Sequence, residues 1–432
     1  MSEAHILAIP YPAQGHVIPL LELSHELVKH GIKVTFVNTD FVHNKIMKSL
    51  GEKSSELFVG NNNEIKLVSI PDGLEESDNR NDLGKLTLSM LEVMPKKLEM
   101  LIEDINNKSA ENNRITCLVA DGNIGWALEV AKKMGIKAVA FWPAAASMLA
   151  LIFNIQKLLD DGIIDTDGNP INDETIQLSP KMPPMRTKDF VWSQLGDKTT
   201  EKILFHYYRQ ENNKSVKVAA DKIICNTTYE HEAATLDFVP QIIPIGPLLA
   251  TNSIAGNFWQ EDSTCLNWLD QQETNSAFFI GYIRPDINNG ENQSFLKEFE
   301  ERVKNLGKVV QWAPQQRVLS HPSIACFISH CGWNSTMEGT TKGVPFLCWP
   351  YFADQLFNQT LIYDVRKVGL RLDPITGGII TREQITCKIK TLLQDEGFKV
   401  RAMELRNLVI NNIKEGGRSS INLNNFVDWI KA

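Results

Sequence analysis

Residues 330–355 read HCGWNSTMEGTTKGVPFLCWPYFADQ, and this run decides the fold. The apolar residues 324–329 lead into His330-Cys331-Gly332, residues 333–342 read as a helix, and residues 345–348 are apolar again. Strand, tight turn, helix and strand in that spacing make one unit of a parallel sheet. In such sheets ligands sit outside the carboxyl ends of the strands. A helix N-terminus there offers free N–H groups and a partial positive charge, which suit a phosphate. Gly332 lets the backbone approach closely, Asn334 and Ser335 add polar side chains, and His330 offers a further N–H. Plain capping by Gly and Ser is the alternative.

Working outward, the same cycle recurs. His5–Ile9 is an apolar strand, residues 17–30 are a helix closed by Gly31, and residues 33–37 are a second strand. It returns at 115–120, 124–134 and 137–141. Alternating apolar strands and amphipathic helices predict doubly wound α/β domains with parallel sheets. With 432 residues, more than one domain is expected. The Gly- and Pro-rich stretch IPIGPLLATNSIAGNFWQED contains the linker, residues 246–262. That leaves an N-terminal domain at 1–245, a C-terminal domain at 263–415 and a last segment at 416–432. In the last segment Leu423, Phe426, Val427 and Ile430 share one helical face.

Composition narrows the function. The net charge is −8 with both signs mixed, so the basic stripe of a nucleic-acid binder is missing. Seven irregularly spaced Cys suggest reduced thiols in a cytoplasmic protein. The start, MSEAHILAIPYPAQGHVIPL, has no basic n-region and is broken by three Pro, unlike a signal peptide. No apolar run approaches the ~20 residues that span a bilayer, so no membrane insertion is expected. No metal site is expected either. Asp165-Thr166-Asp167 fails as a calcium loop, with Pro170 and Ile176 where Gly and Glu belong. Neither a Gly-rich dinucleotide fingerprint nor a P-loop occurs.

The surroundings of 330–355 add partners for more than a phosphate. Trp312 follows the strand-like residues 308–310, and an indole there can stack a flat base; a core Trp is the alternative. Glu338 lies one helical turn beyond Asn334, where a carboxylate can accept both hydroxyls of a ribose. Asp354 and Gln355 follow another strand end and can hold sugar hydroxyls. Together these residues fit a nucleotide-sugar. In the first half, His16 stands after the first strand and Asp121 after the strand at 115–120. A carboxylate on one imidazole nitrogen fixes the tautomer and leaves the other nitrogen as a base.

The 44 residues from Trp312 to Gln355 closely resemble the signature box of the plant family-one UDP-glycosyltransferases, in the pieces WAPQ, HCGWNS, GVP, WP and DQ. PYPAQGH, NTTYEHE, IGPLL and EGGRSS extend the resemblance along nearly the whole chain. It implies the GT-B fold, two facing Rossmann-like domains, with the acceptor on the N-terminal half and the UDP-sugar on the C-terminal half. The last helix would cross back to the first domain. By resemblance Trp312 stacks uracil and Ala313 binds it through its backbone. Gln315 and Glu338 hold the ribose, and His330, Asn334 and Ser335 take the diphosphate. Trp333 lines the site, and Asp354 and Gln355 hold the sugar, a closing Gln going with glucose. The family uses a His–Asp pair at the positions of His16 and Asp121. The implied reaction is inverting transfer of glucose from UDP-glucose to a hydroxyl of a small lipophilic acceptor, a flavonoid, phenolic or terpenoid, by a monomer without a metal cofactor. Phe141, Trp142 and Phe190 are the expected acceptor wall.

The chain departs from the family at LDQQETNSAFFIGYIRPDINNG. Near residues 276–283 two strand ends join directly, and about one βα unit, on the order of 30 residues, is missing. Residues 278–280 are expected to form one hybrid strand. Loss of the unit would remove a wall of the donor site, so a catalytically impaired UDP-sugar-binding relative is the alternative reading.

Overall fold

The computed structural model describes residues 4–50, 65–108, 113–249, 257–272, 279–282, 293–304, 306–374 and 378–432. Fourteen strands occur among them: β1 (His5–Ile9), β2 (Lys33–Thr39), β3 (Ile65–Ile70), β4 (Cys117–Asp121), β5 (Lys137–Trp142), β6 (Thr175–Ile176), β7 (Met185–Arg186), β8 (Lys222–Cys225), β9 (Ile242–Pro244), β10 (Phe279–Tyr282), β11 (Gly307–Val310), β12 (Phe327–Ser329), β13 (Phe346–Cys348) and β14 (Gly369–Arg371).

Seven of them form one sheet in the order β3-β2-β1-β4-β5-β8-β9, parallel at every pairing. The strands are short apolar runs buried on both faces, as helical cover on both sides of a parallel sheet demands. One face packs on the helix Gln14–Lys29 and, through Phe426, Val427 and Ile430, on the last helix, Arg418–Lys431. The strand order reverses between β1 and β4, with Ile9 beside Ala120. That switch point opens a crevice at the carboxyl ends of the two strands.

The C-terminal strands are parallel too, but in two pieces. β10 pairs with β11, and β12, β13 and β14 form a separate three-stranded sheet. In the seven-stranded sheet, β3 and β2 pair on one side of β1, and β4, β5 and β8 lie on the other. Matched to that order, β11 and β10 stand for β3 and β2, and β12 to β14 for β4, β5 and β8. Among the described residues no strand stands where β1 would, and no ladder joins β10 to β12. Cores divide the same way. Cys265, Leu269, Val310, Ala313 and Val318 form one small cluster, and Leu347, Leu372, Leu392 and Phe398 another.

Of the hybrid strand expected at 278–280, residues 279 and 280 fall in β10, and residue 278 lies outside the described residues. One other expectation shifts. The first helix begins at Gln14, so His16 sits in its first turn and not ahead of it. The C-terminal helices Arg382–Gln394 and Glu396–Ile413 part at Asp395, and the last helix starts at Arg418. The Asp165 turn is closed by its own backbone: the Asp165 carboxylate accepts N–H bonds from Asp167 and Asn169, each at 2.9 Å. All seven Cys are free thiols. No helix among the described residues is long and apolar enough to cross a membrane.

Candidate active site

The switch point brings His16 and Asp121 together. Asp121 closes β4 with its side chain 0% exposed, and its Oδ2 lies 2.7 Å from His16 Nδ1. A buried carboxylate accepts, so Nδ1 carries the proton and Nε2 is the free lone pair of the neutral ring. His16 is 27% exposed, which leaves that nitrogen reachable. Burial pulls the His16 pKa down. The charge of Asp121, its hydrogen bond and the charge of Asp354 push it up and prevail, so it lies above the ordinary 6.5. Tyr11 stands beside the imidazole, ring centroids 5.2 Å apart.

The second half of the site is the turn between β12 and the helix Trp333–Lys342. Cys331 takes a left-handed φ of 66°, and its N–H bonds Ser329 Oγ at 3.0 Å. A Cβ on Gly332 would lie 2.4 Å from His330 Nε2, so the imidazole rests directly against the glycine. Only a residue without a side chain admits that approach. The helix then starts with N–H groups lacking intrahelical partners. Burial raises the Asp354 carboxyl overall, against the hydrogen bond from Asn358, the charge of His16 and the backbone N–H of Trp333. Asn358 Nδ2 donates to Asp354 Oδ2 at 2.8 Å and to Cys331 O at 2.9 Å, tying the two turns together. Gln355 Oε1 accepts the N–H of Tyr351 at 3.1 Å, and Ala353 just before takes a φ of 54°.

The expected ribose partners also meet. Gln315 Nε2 donates to Glu338 Oε2 at 2.5 Å and to Ser335 Oγ at 2.9 Å, and Gln316 Nε2 donates to Glu338 Oε1 at 3.1 Å. Burial raises the Glu338 carboxyl, and the two amides oppose it. Trp312 faces the linker residue Trp259, centroids 5.0 Å apart, and its carbonyl accepts the Asp262 N–H at 2.8 Å. Ala313 is buried with Val310 and Val318. A cleft of about 530 Å³ opens beside this turn between Glu261, Gln311 and Arg317; it includes neither His16 nor Asp121.

The two halves touch at the site. Asn334 Nδ2 donates to Gly15 O at 2.8 Å, one residue before His16. The Trp333 indole N–H donates to Asn226 O at 2.8 Å, and its ring packs on His231. Trp333 is therefore a buried wedge between the halves more than an exposed wall.

The expected acceptor wall needs correction. Phe141, Trp142 and Phe190 are 0%, 2% and 1% exposed and lie inside the core clusters. Strand alternation turns Phe141 towards the face covered by the first helix and Trp142 to the other, so none of the three meets open space. Sequence reasoning missed Asn123, Tyr208, Gln316, Asn358 and Tyr11. For Asn123 a signal existed: Asp-Gly-Asn after a strand favours a side-chain turn. Tyr208 and Asn358 carry no such local mark. Among the described residues no group of His, Cys, Asp and Glu could hold a metal ion.

Comparisons with known proteins follow the same two halves. Two family models match: "UDP-glucoronosyl and UDP-glucosyl transferase" over residues 291–412, and "Glycosyltransferase, N-terminal domain" over residues 2–161. UDP-glycosyltransferase 83A1 of Arabidopsis thaliana is 44% identical over 461 positions, covering 100% of this chain and 98% of the relative. With 432 residues here, at least 29 of those positions face gaps on this side. Linamarin synthase 1 of Manihot esculenta is 32% identical, covering 99% of this chain and 96% of its own. Among solved structures, UGT2 of Phytolacca americana, complexed with UDP-2fluoro-glucose and pterostilbene, superposes with a TM-score of 0.79. It is 23% identical and covers 99% of this chain and 100% of its own, a likeness of fold.

Proposed function

The chain belongs to the plant family-one UDP-glycosyltransferases, hexosyltransferases of the GT-B fold, and on that footing we propose that it moves glucose from UDP-glucose to a hydroxyl of a small lipophilic acceptor, with His16 as general base. The observation that carries this reading is the His16–Asp121 pair standing one residue from the Asn334–Gly15 contact, where the expected donor turn meets the N-terminal half. In the proposed step His16 Nε2 takes the acceptor's hydroxyl proton as that oxygen bonds to the anomeric carbon. The bond from that carbon to UDP breaks on the opposite face, so the anomer inverts. Asp121 stabilises the imidazolium that results. His330, Asn334, Ser335 and the N-terminus of Trp333–Lys342 meet the charge on the departing diphosphate. Gln315 and Glu338 hold the ribose, Trp312 and Ala313 the base, and Asp354 and Gln355 the glucose.

Relatives named linamarin synthase and (R)-mandelonitrile beta-glucosyltransferase support a small-molecule acceptor. Flavonoid, phenolic and terpenoid alcohols are the classes to screen. Tyr11 beside His16 supports an acceptor with an aromatic or apolar face. The reading includes a monomer acting in the cytoplasm; seven free thiols support the compartment. The test is His16→Ala: transfer to alcohols is abolished while UDP still binds. Unchanged turnover in that variant sinks the base assignment.

A second reading rests on the divided C-terminal sheet. A chain without a strand between β10 and β12 would bind UDP-sugar weakly and turn it over slowly or not at all. Calorimetric titration with UDP-glucose, beside Trp312→Ala, separates the two readings. Micromolar binding lost in the variant supports a working donor site; no binding by folded protein supports the impaired relative.

A further inference from the structure

His16 uses one oxygen of Asp121, and the other is held from behind. Asp121 Oδ1 accepts two hydrogen bonds from Asn123, from the backbone N–H at 2.8 Å and from Nδ2 at 3.0 Å. Asn123 is 8% exposed. Its own Oδ1 accepts from the Tyr208 hydroxyl at 3.0 Å, and its carbonyl accepts from the Tyr207 hydroxyl at 2.8 Å. Both tyrosines open a π-helical turn, Tyr207–Asn212, that continues the helix starting at Lys198. From the same turn Asn212 Nδ2 donates to Gly122 O at 2.7 Å, and Asn212 Oδ1 accepts the Gly125 N–H at 2.8 Å. A single turn thus grips residues 122–125 from a distant part of the chain. π turns often occur at functional sites. In an α-helix residues 207 and 212, five apart, would face different ways; the i→i+5 spacing of the π turn brings both onto the 122–125 loop.

We propose that Asn123 is a positioning residue for the His16–Asp121 pair, its amide oriented by the Tyr208 hydroxyl; this rests on His16 being the base. The two N–H groups on Oδ1 fix the rotation of the carboxylate, so that Oδ2 faces Nδ1 and the ring keeps its Nδ1–H tautomer. Asp121 only accepts and so draws the NH₂ end of the Asn123 amide, and the Tyr208 hydroxyl, donating to the amide oxygen, locks that orientation. A donor on the amide oxygen leaves the NH₂ for the carboxylate. Burial raises both tyrosine pKa values, so both hydroxyls stay donors.

The test reads the tautomer directly. In ¹⁵N-labelled protein the His16 ring signals, assigned by their loss in His16→Gln, report which nitrogen carries the proton, with or without turnover. The expected wild-type state is Nδ1–H. Asn123→Leu shifts it towards Nε2–H and lowers kcat about 10-fold or more, with UDP affinity unchanged, the effect of a lost hydrogen bond to a charged group. Asn123→Ser, which keeps a donor, recovers part of both. Tyr208→Phe moves both in the same direction by less, and with the Ser variant it carries the test if Asn123→Leu does not fold. A wild-type tautomer with kcat within about twofold in these variants overturns the proposal. Should His16→Ala leave turnover intact, the base assignment fails, and the tautomer still shows whether Asn123 orients the ring.

Discussion

Asp121→Asn keeps the shape of the pair and removes its charge. The rest of the loop dictates how the new amide sits. Asn123 presents two N–H groups to the position of Oδ1, so the amide oxygen must stay there. The NH₂ group then takes the place of Oδ2, 2.7 Å from His16 Nδ1. Nδ1 can only accept, and the ring proton moves to Nε2, the nitrogen that should receive the acceptor's proton. A misplaced proton removes general-base catalysis, worth about 10²–10⁴ in rate. At 1.36 kcal/mol per decade that is about 3–5 kcal/mol of transition-state stabilisation. The pH profile carries a second signature. Asp121 is the main group holding the His16 pKa above 6.5 against burial. Without its charge the pKa falls, so the acid limb of kcat/KM moves to lower pH and the relative defect is smallest there. Stability follows the opposite limb. A raised histidine pKa gives stability that is fully present below 6.5 and is lost as pH rises through the folded value. The variant lacks that excess, so its melting temperature falls most below pH 6.5. Kinetics across pH with UDP-glucose and any accepted alcohol, beside melts at two pH values, check both. A rate within about tenfold of wild type, with an unmoved acid limb, refutes the pairing.

Gly332→Ala places a Cβ where the tip of the His330 ring now rests. The imidazole moves and the fold does not, so UDP affinity drops about tenfold while the melting temperature holds; calorimetry and a thermal melt read the two. Gln315→Ala strips one amide from Glu338 and the partner from Ser335. The Glu338 carboxyl rises further, and UDP binding weakens most at low pH, more than in Gln316→Ala. Trp333→Phe leaves the Asn226 carbonyl without its indole donor. A buried acceptor so exposed costs about 1–3 kcal/mol, and at roughly 2–4 °C per kcal/mol the melt shows it.

Much of the site was legible because its geometry is local. Strand, turn and helix at 324–342 follow from apolar runs and glycines, and a turn at a strand end puts His330, Asn334 and Ser335 on one crevice whatever surrounds them. His16 and Asp121 needed one non-local fact, that β1 and β4 are neighbours, and the doubly wound order supplies it. The acceptor wall was misplaced because apolarity does not tell a core from a pocket. Phe141 and Trp142 are adjacent on β5, and pleating sends them into opposite cores. Asn123 and Tyr208 lie 85 residues apart and meet through a π turn, for which periodicity gives no warning. Trp333 was expected to line the site by resemblance alone, and no sequence signal tells that its indole reaches across to Asn226.

Among the described residues the C-terminal sheet is divided, and the division predicts where added chain should act. In the N-terminal sheet β1 is buried along its whole length and paired on both edges. It also forms one side of the crevice that holds His16 and Asp121. The equivalent crevice in the C-terminal half lies beside β12, above His330 and Asn334, and among the described residues its other side has no strand. β10 does not supply that side, because its ladder runs to β11. Inserting a βα unit, on the order of 30 residues, within 276–283 should therefore act on the donor more than on stability. Each newly buried apolar side chain contributes about 1.5–3 kcal/mol, but ordering the added backbone costs about 1–2 kcal/mol per residue, so the melting temperature rises only modestly. UDP-glucose affinity, by contrast, gains a second wall around the diphosphate and improves about tenfold or more, the effect of one or two charge-assisted hydrogen bonds. Unchanged affinity in the extended chain would mean that β12 and its helix build the donor site alone, and that β10 next to β11 is a complete solution for this sequence.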